Sequence, residues 1–321
     1  VKRLSLWLSP HECAFRNPEQ LGDEALAVNL PGHTTEVLIP TLYDDWPQQV
    51  LRRSIGDALA IDSPEDAASV RARVEARGVK CGGWSVPRAT GNIYQEGYLH
   101  GRAAACFDHF VLNYEDGWAD FWTQNGRWAV DEFFRGFDDA LGAAGQLIKT
   151  QVGFTVVTNT AMLNAISDDE LQAWVEHTDY VAIEVYLPGD PGLDPRLGAG
   201  RMRARLEQIW IPDYPVVCIL EHGDLPTLAT GESHPTLGVQ VWTMGAALQH
   251  AWPPREDPVI EPPENPCAGL INAVAYLGDD LPPILRAATT GRWTLAKKRA
   301  VLNVANELER VRLEQVGPRT A

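Results

Sequence analysis

Short apolar runs of strand length recur eight times along this chain, separated by stretches with helical periodicity, and that alternation limits its fold more than any other feature. Such runs suit strands of a parallel sheet, whose neighbours are joined by crossover helices that cover the faces. The runs fall at 3–9, 36–42, 79–86, 109–114, 153–159, 180–187, 215–221 and 238–243. Among the intervening stretches, SPEDAASVRARVEARG has a well-marked start and stop. Ser63 can cap, Pro64 suits the first turn, acidic residues follow, and Gly78 ends the helix. Further helices are expected near 130–143, 168–177 and 200–209. Eight strands with intervening helices close into a (β/α)8 TIM barrel, an α/β fold.

The barrel is expected to occupy residues 1–252. A proline-rich stretch, AWPPREDPVIEPPENP at 251–266, reads as a surface connection after the eighth strand, because its prolines forbid regular structure. Beyond it, WTLAKKRAVLNVANELERVRLEQ reads as a long amphipathic helix. Residues 253–321 are therefore expected to be a C-terminal helical extension packed on the barrel, since about 55 residues alone make a marginal core.

In a parallel barrel the catalytic face is the C-terminal end of the strands, so polar residues ending a strand carry the functional signal. The fourth run, FDHFVLNYE, ends in such residues. Alternation puts His109, Val111, Asn113 and Glu115 on one side and Phe110, Leu112 and Tyr114 on the other. Asn113 and Glu115 thus reach the mouth together, ahead of an acidic loop, EDGWADFW, in which Asp116 can raise the pKa of Glu115 by like-charge repulsion. The sixth run turns Glu184 and Tyr186 inward, the seventh ends in Glu221, and the eighth pairs Gln240 with Trp242 on one face. Tyr43, Asp44 and Asp45 follow the second run, and Trp46, Trp84, Trp118 and Trp122 lie near strand ends where aromatic faces can stack on sugars. His109 reads as a satisfied interior residue and Asp108 as a turn former.

Composition narrows the partners. A net charge of −16 opposes binding to nucleic acid or to an anionic membrane surface, and does not penalise a neutral sugar. No apolar run approaches the ~18 to 20 residues that span a bilayer, and the N-terminal VKRLSLWLSPHE lacks the apolar core of a signal peptide. The expectation is a protein with no membrane partner, cytoplasmic in location. Five widely spaced cysteines do not form a disulfide framework, and without a CxxC pair or an HExxH motif no metal site and no cofactor is expected.

Several of these segments carry a resemblance. FDHFVLNYE resembles the strand-4 motif DxxDxDxE of family 18 glycoside hydrolases, the chitinases and their relatives. In its Asn-x-Glu it is also similar to the family 85 endo-N-acetylglucosaminidases. KCGGWS at Lys80 to Ser85 resembles the strand-3 SxGGW motif, GVQVWTM the strand-8 GxMxW motif, and IEVY, less closely, the strand-6 MxYD. Glycoside-hydrolase-like barrels of actinobacterial phages also show a strand-4 Asn-x-Glu, and that resemblance implies a protein carried in a phage virion as the alternative to a cytoplasmic one. The resemblance implies substrate-assisted hydrolysis of an N-acetylglucosamine-containing glycan. In that scheme Glu115 is the proton donor, Asn113 holds the acetamido group, Tyr186 assists it, and Trp242 is the floor on which the sugar stacks. The remaining candidate contacts to substrate are Trp84, Tyr43, Asp116, Glu184, Glu221 and Gln240. The chain departs from family 18 where Val111, Asn113 and Leu187 replace aspartates and Cys81 replaces serine. Two alternatives stand beside this one. One is a two-carboxylate hydrolase using Glu115 with Glu221 or Glu184. The other is a catalytically silent barrel serving as a glycan-binding or structural module, as in a phage tail.

Overall fold

The computed structural model describes residues 1–9, 12, 16–43, 64–89, 91–114, 116–147, 149–157, 165–185, 195–221 and 223–254. Expectations resting on Ser63, Glu115, Tyr186, Leu187, Asp44, Asp45, Trp46 and the extension beyond residue 254 lie outside this set. So do those on the side chains of Tyr43, Asp116 and Trp118.

The strands are β1 (Lys2–Trp7), β2 (His33–Tyr43), β3 (Lys80–Val86), β4 (His109–Leu112), β5 (Gln151–Val157), β6 (Tyr180–Glu184), β7 (Val216–Leu220) and β8 (Val239–Trp242). They close into a barrel in sequence order, each parallel to the next, and β8 pairs back onto β1. The helices are α1 (Pro18–Ala27), α2 (Pro64–Glu75), α3 (Ile93–Ala104), α4 (Asp116–Ala143), α5 (Asp168–His177), α6 (Pro195–Gln208), α7 (Leu225–Gly231) and α8 (Met244–Leu248). This is the (β/α)8 TIM barrel that the alternation of runs implies. Among the described residues no helix is long and apolar enough to cross a membrane.

Two apolar cores follow from the period-2 pattern. Inside the barrel Trp7, Leu38, Trp84, Val86, Val111, Ala182, Val217 and Ile219 pack together with Tyr180. Between sheet and helices the opposite faces contribute, with Phe110, Leu112 and Tyr114 of the β4 segment buried against the helical shell. Both sets are the ones alternation assigns to the two sides.

Several helices differ from expectation. EDGWADFW is not a loop: α4 begins at Asp116 and runs to Ala143, interrupted at Gly126, whose φ of 58° and ψ of −150° leave helical space. The left-handed φ is open to glycine without the penalty a Cβ brings, so the sequence tolerates the break there. α6 starts at Pro195, five residues earlier than its periodicity suggests, because proline is well placed in a first turn. α1, α3, α7 and α8 were not legible as helices. α3 is instructive, because Gly97 and Gly101 lower its helical propensity. A Cβ on Gly97 would lie 1.9 Å from the Phe133 carbonyl oxygen, and one on Gly101 2.4 Å from that of Phe137. Those glycines let the α3 and α4 backbones touch, and the packing outweighs the propensity.

Candidate active site at the barrel mouth

The site stands on a polar layer near the N-terminal ends of the even-numbered strands. Trp7 Nε1 donates to Gln240 Oε1 at 2.8 Å, and Gln240 Nε2 donates to the Tyr180 hydroxyl at 2.9 Å. An indole N–H can only donate, so Gln240 must turn its oxygen to Trp7 and its NH2 to Tyr180. The Tyr180 proton is then left for His109 Nε2 at 2.6 Å, and His109 Nδ1–H donates to Glu36 Oε2 at 2.7 Å. Ser5 Oγ donates to the same carboxylate oxygen at 2.7 Å, and Arg3 Nε lies 3.7 Å from it. Every proton in the chain points toward Glu36.

The charges follow from that arrangement. Burial would raise the Glu36 carboxyl, but His109, Arg3 and Ser5 outweigh it and hold its pKa at about 2. Burial lowers His109, which stays neutral, and raises Tyr180, which keeps its proton. Room for the layer comes from glycines on the neighbouring strands. A Cβ on Gly153 would meet the Tyr180 ring at 2.2 Å, and one on Gly82 would come 2.7 Å from Leu38 Cδ2. Gln240, expected on the cleft surface, has both ends of its amide engaged below it, and anchors Trp7 instead.

Above the layer three tryptophans meet. Trp7 lies 5.2 Å from Trp84 and 5.4 Å from Trp242, ring centre to ring centre, and Trp84 lies 5.8 Å from Trp242. Trp7 and Trp84 are buried, with the Trp84 indole donating to the Leu8 carbonyl at 3.2 Å, whereas Trp242 is half-exposed. Trp242 is thus the open face of the cluster and Trp84 its backing. Trp122 is fully buried and donates to the Pro87 carbonyl, so it packs the shell and meets no ligand.

Asn113 lies on the inward side just past β4, where its N–H still extends the ladder to the Ser85 carbonyl at 2.7 Å. Its Oδ1 accepts from Thr155 Oγ1 at 2.6 Å, and that hydroxyl accepts from the Tyr114 N–H at 3.1 Å. Tyr114 faces outward, donating to Glu170 Oε1 at 3.1 Å and meeting the Trp174 ring edge-on at 5.8 Å. Glu170 is held up at about 7 by burial, which outweighs the hydrogen bond from Tyr114. The backbone immediately before Glu115 is therefore pinned from inside and outside the barrel. Glu184 and Glu221 are half-buried. Glu184 is paired with Ile219, and Glu221 follows two residues later, so both stand on the inward side of adjacent strands.

Other candidates fall elsewhere. His109 is a satisfied interior residue. Asp108 pairs with Arg71 at 2.6 Å on the surface, and Cys81 is buried in the outer core. Thr155 and Glu170 were not singled out by sequence reasoning. Thr155 was reachable by alternation, two residues after Gly153 on β5. Glu170 reads as the fourth residue of a Ser-x-x-Glu capping pattern, and nothing local announces its burial beside Tyr114. Among the described residues no group of three or more His, Cys, Asp or Glu could hold a metal ion.

No family model and no curated protein matches the sequence. Solved structures that resemble the barrel include the glycoside hydrolase domain of PgaB from Bordetella bronchiseptica, with 11% identity over 79% of this chain and 100% of that one, TM-score 0.45. A GH18 chitinase from Pseudoalteromonas aurantia is 10% identical over 77% of this chain and 98% of that one, TM-score 0.42. An aldolase/citrate lyase family protein from Burkholderia cenocepacia is 11% identical over 77% of this chain and 90% of that one, TM-score 0.43. These chemistries differ from one another, and at such scores none transfers to this chain.

Proposed function

We propose that this barrel is a glycoside hydrolase acting on an N-acetylglucosamine-containing glycan by substrate-assisted catalysis. The observation that carries the reading is Asn113, a carboxamide held on the inward side at the C-terminal end of β4 by Thr155. Continuing the alternation of the sequence predicts Glu115 as the next inward residue after Asn113, and Tyr186 as the next after Glu184. In the proposed reaction the acetamido oxygen of the sugar attacks the anomeric carbon. Glu115 gives its proton to the leaving oxygen as the glycosidic bond breaks, and its carboxylate then takes a proton from the water that opens the cyclic intermediate. Trp242, the half-exposed member of the tryptophan cluster, supplies a stacking face. The carbohydrate is the only partner this reading requires.

The test is Glu115→Gln against wild type on chitooligosaccharides, muropeptides and N-glycans. Turnover should fall about 10² to 10⁴-fold with the unfolding midpoint unchanged. Equal turnover in the two proteins sinks the assignment. A second reading draws on the inward placement of Glu221 and Glu184 on adjacent strands, with Glu115 as acid and Glu221 as nucleophile. Glu221→Gln separates the two: it abolishes a two-carboxylate reaction and leaves a substrate-assisted one within about tenfold.

A further inference from the structure

A serine and a histidine that the glycan site does not use meet at the opposite rim of the barrel. His33 opens β2, and Ser233 lies 200 residues later, after α7, in the segment that leads into β8. Strand β1 pairs with both β2 and β8, so closing the barrel brings the two segments together. A tight turn holds the histidine. Its N–H donates to the Leu30 carbonyl at 3.0 Å across Pro31 and Gly32, and Gly32 has a φ of 75°. That is the residue order of a type II turn, whose third position needs a left-handed φ.

The turn also fixes the tautomer of the imidazole. His33 Nδ1 lies 3.0 Å from the Pro31 carbonyl oxygen, which can only accept, so Nδ1 carries the proton. Burial, joined by the charge of Lys2 and offset in part by that carbonyl, lowers the His33 pKa below 6.5, and the resting ring is neutral. Nε2 therefore holds a lone pair, and Ser233 Oγ donates to it at 2.8 Å. Nucleophile, base and orienting group stand in the order used for acyl transfer, with a backbone carbonyl in the orienting place. Both side chains are half-buried, so a solute can reach them. Hydrogen-bond donors stand beside the hydroxyl in the chain. Among the described residues the Ser233 N–H has no acceptor. His234 Nδ1 accepts from the N–H groups of Thr236 at 3.2 Å and Leu237 at 3.1 Å, which leaves the proton of the neutral ring on Nε2.

We propose that Ser233 is the nucleophile and His33 the general base of a second catalytic site, one that hydrolyses small carboxylic esters. Ser233 Oγ attacks the ester carbonyl as its proton passes to His33 Nε2. The oxyanion that forms takes hydrogen bonds from the Ser233 N–H and from His234 Nε2–H. Collapse breaks the ester C–O bond, the alcohol leaves with the proton from His33, and the acyl group stays on Ser233. Water then gives a proton to His33 and attacks the acyl carbon, and release of the carboxylic acid returns a proton to Ser233 Oγ. The site stands in loops outside the polar layer that anchors Trp7 and shares no hydrogen bond with it. It does not draw on the glycan reading.

The experiment treats the full chain at neutral pH with an alkyl fluorophosphonate, maps the adduct by mass spectrometry, and follows p-nitrophenyl acetate hydrolysis in parallel. Wild type should be phosphonylated at Ser233, its oxygen displacing fluoride, and should turn the ester over. His33→Gln offers an amide oxygen to the same hydroxyl, so it can keep a hydrogen bond but cannot take the proton. It should slow both adduct formation and ester turnover by at least about 100-fold. Ser233→Ala leaves the turn at His33 untouched and should lose both. An adduct that forms as fast in His33→Gln as in wild type would make the pair only a tie between β2 and the segment before β8. That result, no adduct at Ser233 in wild type, or ester turnover unchanged in Ser233→Ala, overturns the proposal.

Discussion

The two ends of one barrel are built on opposite terms. At the N-terminal end a carboxylate, an imidazole, a phenol and a carboxamide are buried together, and each described proton has an acceptor in the chain that runs from Trp7 to Glu36. At the C-terminal end Glu184, Glu221 and Trp242 are each left half-buried. The first arrangement spends its polar groups on one another, so it can support strands but has nothing to offer a substrate. The second places side chains at the boundary between a low-dielectric interior and water, where a ligand can reach them. This is the division between stability and chemistry expected of a parallel barrel.

The sharpest way to break the comparison is to remove the anchor of the lower layer. Glu36→Ala leaves His109, Ser5 and Arg3 without their common acceptor and should cost about 3 to 5 kcal/mol in urea unfolding. Glu221→Gln at the mouth should cost less than about 1 kcal/mol in the same assay. Equal costs would mean that the two ends are not distinguished by their polar networks. Gly153→Ala is gentler, since its Cβ would meet the Tyr180 ring at 2.2 Å. It should cost about 1 to 3 kcal/mol by overpacking, and Tyr180→Phe in the same chain should not recover the loss, because the clash is with the ring itself.

Glu170 sharpens the comparison through pH. Its carboxyl is raised from 4.5 to about 7, so between those values the folded state holds a proton that the unfolded state has lost. Stability from this group is therefore present at low pH and declines as pH rises through the window. Glu170→Gln should remove that decline and stabilise the protein at pH 8 by about 1 to 2 kcal/mol, with little change near pH 4. His100 acts in the opposite sense. Burial lowers it to about 3, so its contribution is complete above 6.5 and is lost as pH falls toward 3. Glu36, held at about 2, adds a loss that begins below 4.5. Acid unfolding that starts only below pH 3 would contradict both assignments.

Much of the fold was legible, and the reason is local. Each of the eight apolar runs became a strand, and α5 spans the residues expected for it, Asp168–His177, with Ser167 capping its start. Some strand ends were read too long: β1 stops at Trp7 and β4 at Leu112, short of the ends of their runs. The helices that escaped carry glycine at tight contacts or are short. Of the candidate site, Asn113, Glu184, Glu221 and Trp242 could be placed near the mouth from alternation alone. That Gln240 is consumed by Trp7 and Tyr180, and that Thr155 commands the Asn113 carboxamide, could not.

The sequence by itself determined the strand and helix order, the inward and outward faces, and the candidate residues at the barrel mouth, because a period of two and a period of 3.6 are properties of neighbouring residues. Only the tertiary structure decided which inward polar groups are satisfied. Those partners are far apart in the chain: Ser5 and Glu36 are separated by 31 residues, and Trp7 and Gln240 by 233. A hydrogen bond depends on distance and direction in space, and closing the barrel is what brings its first and last strands together.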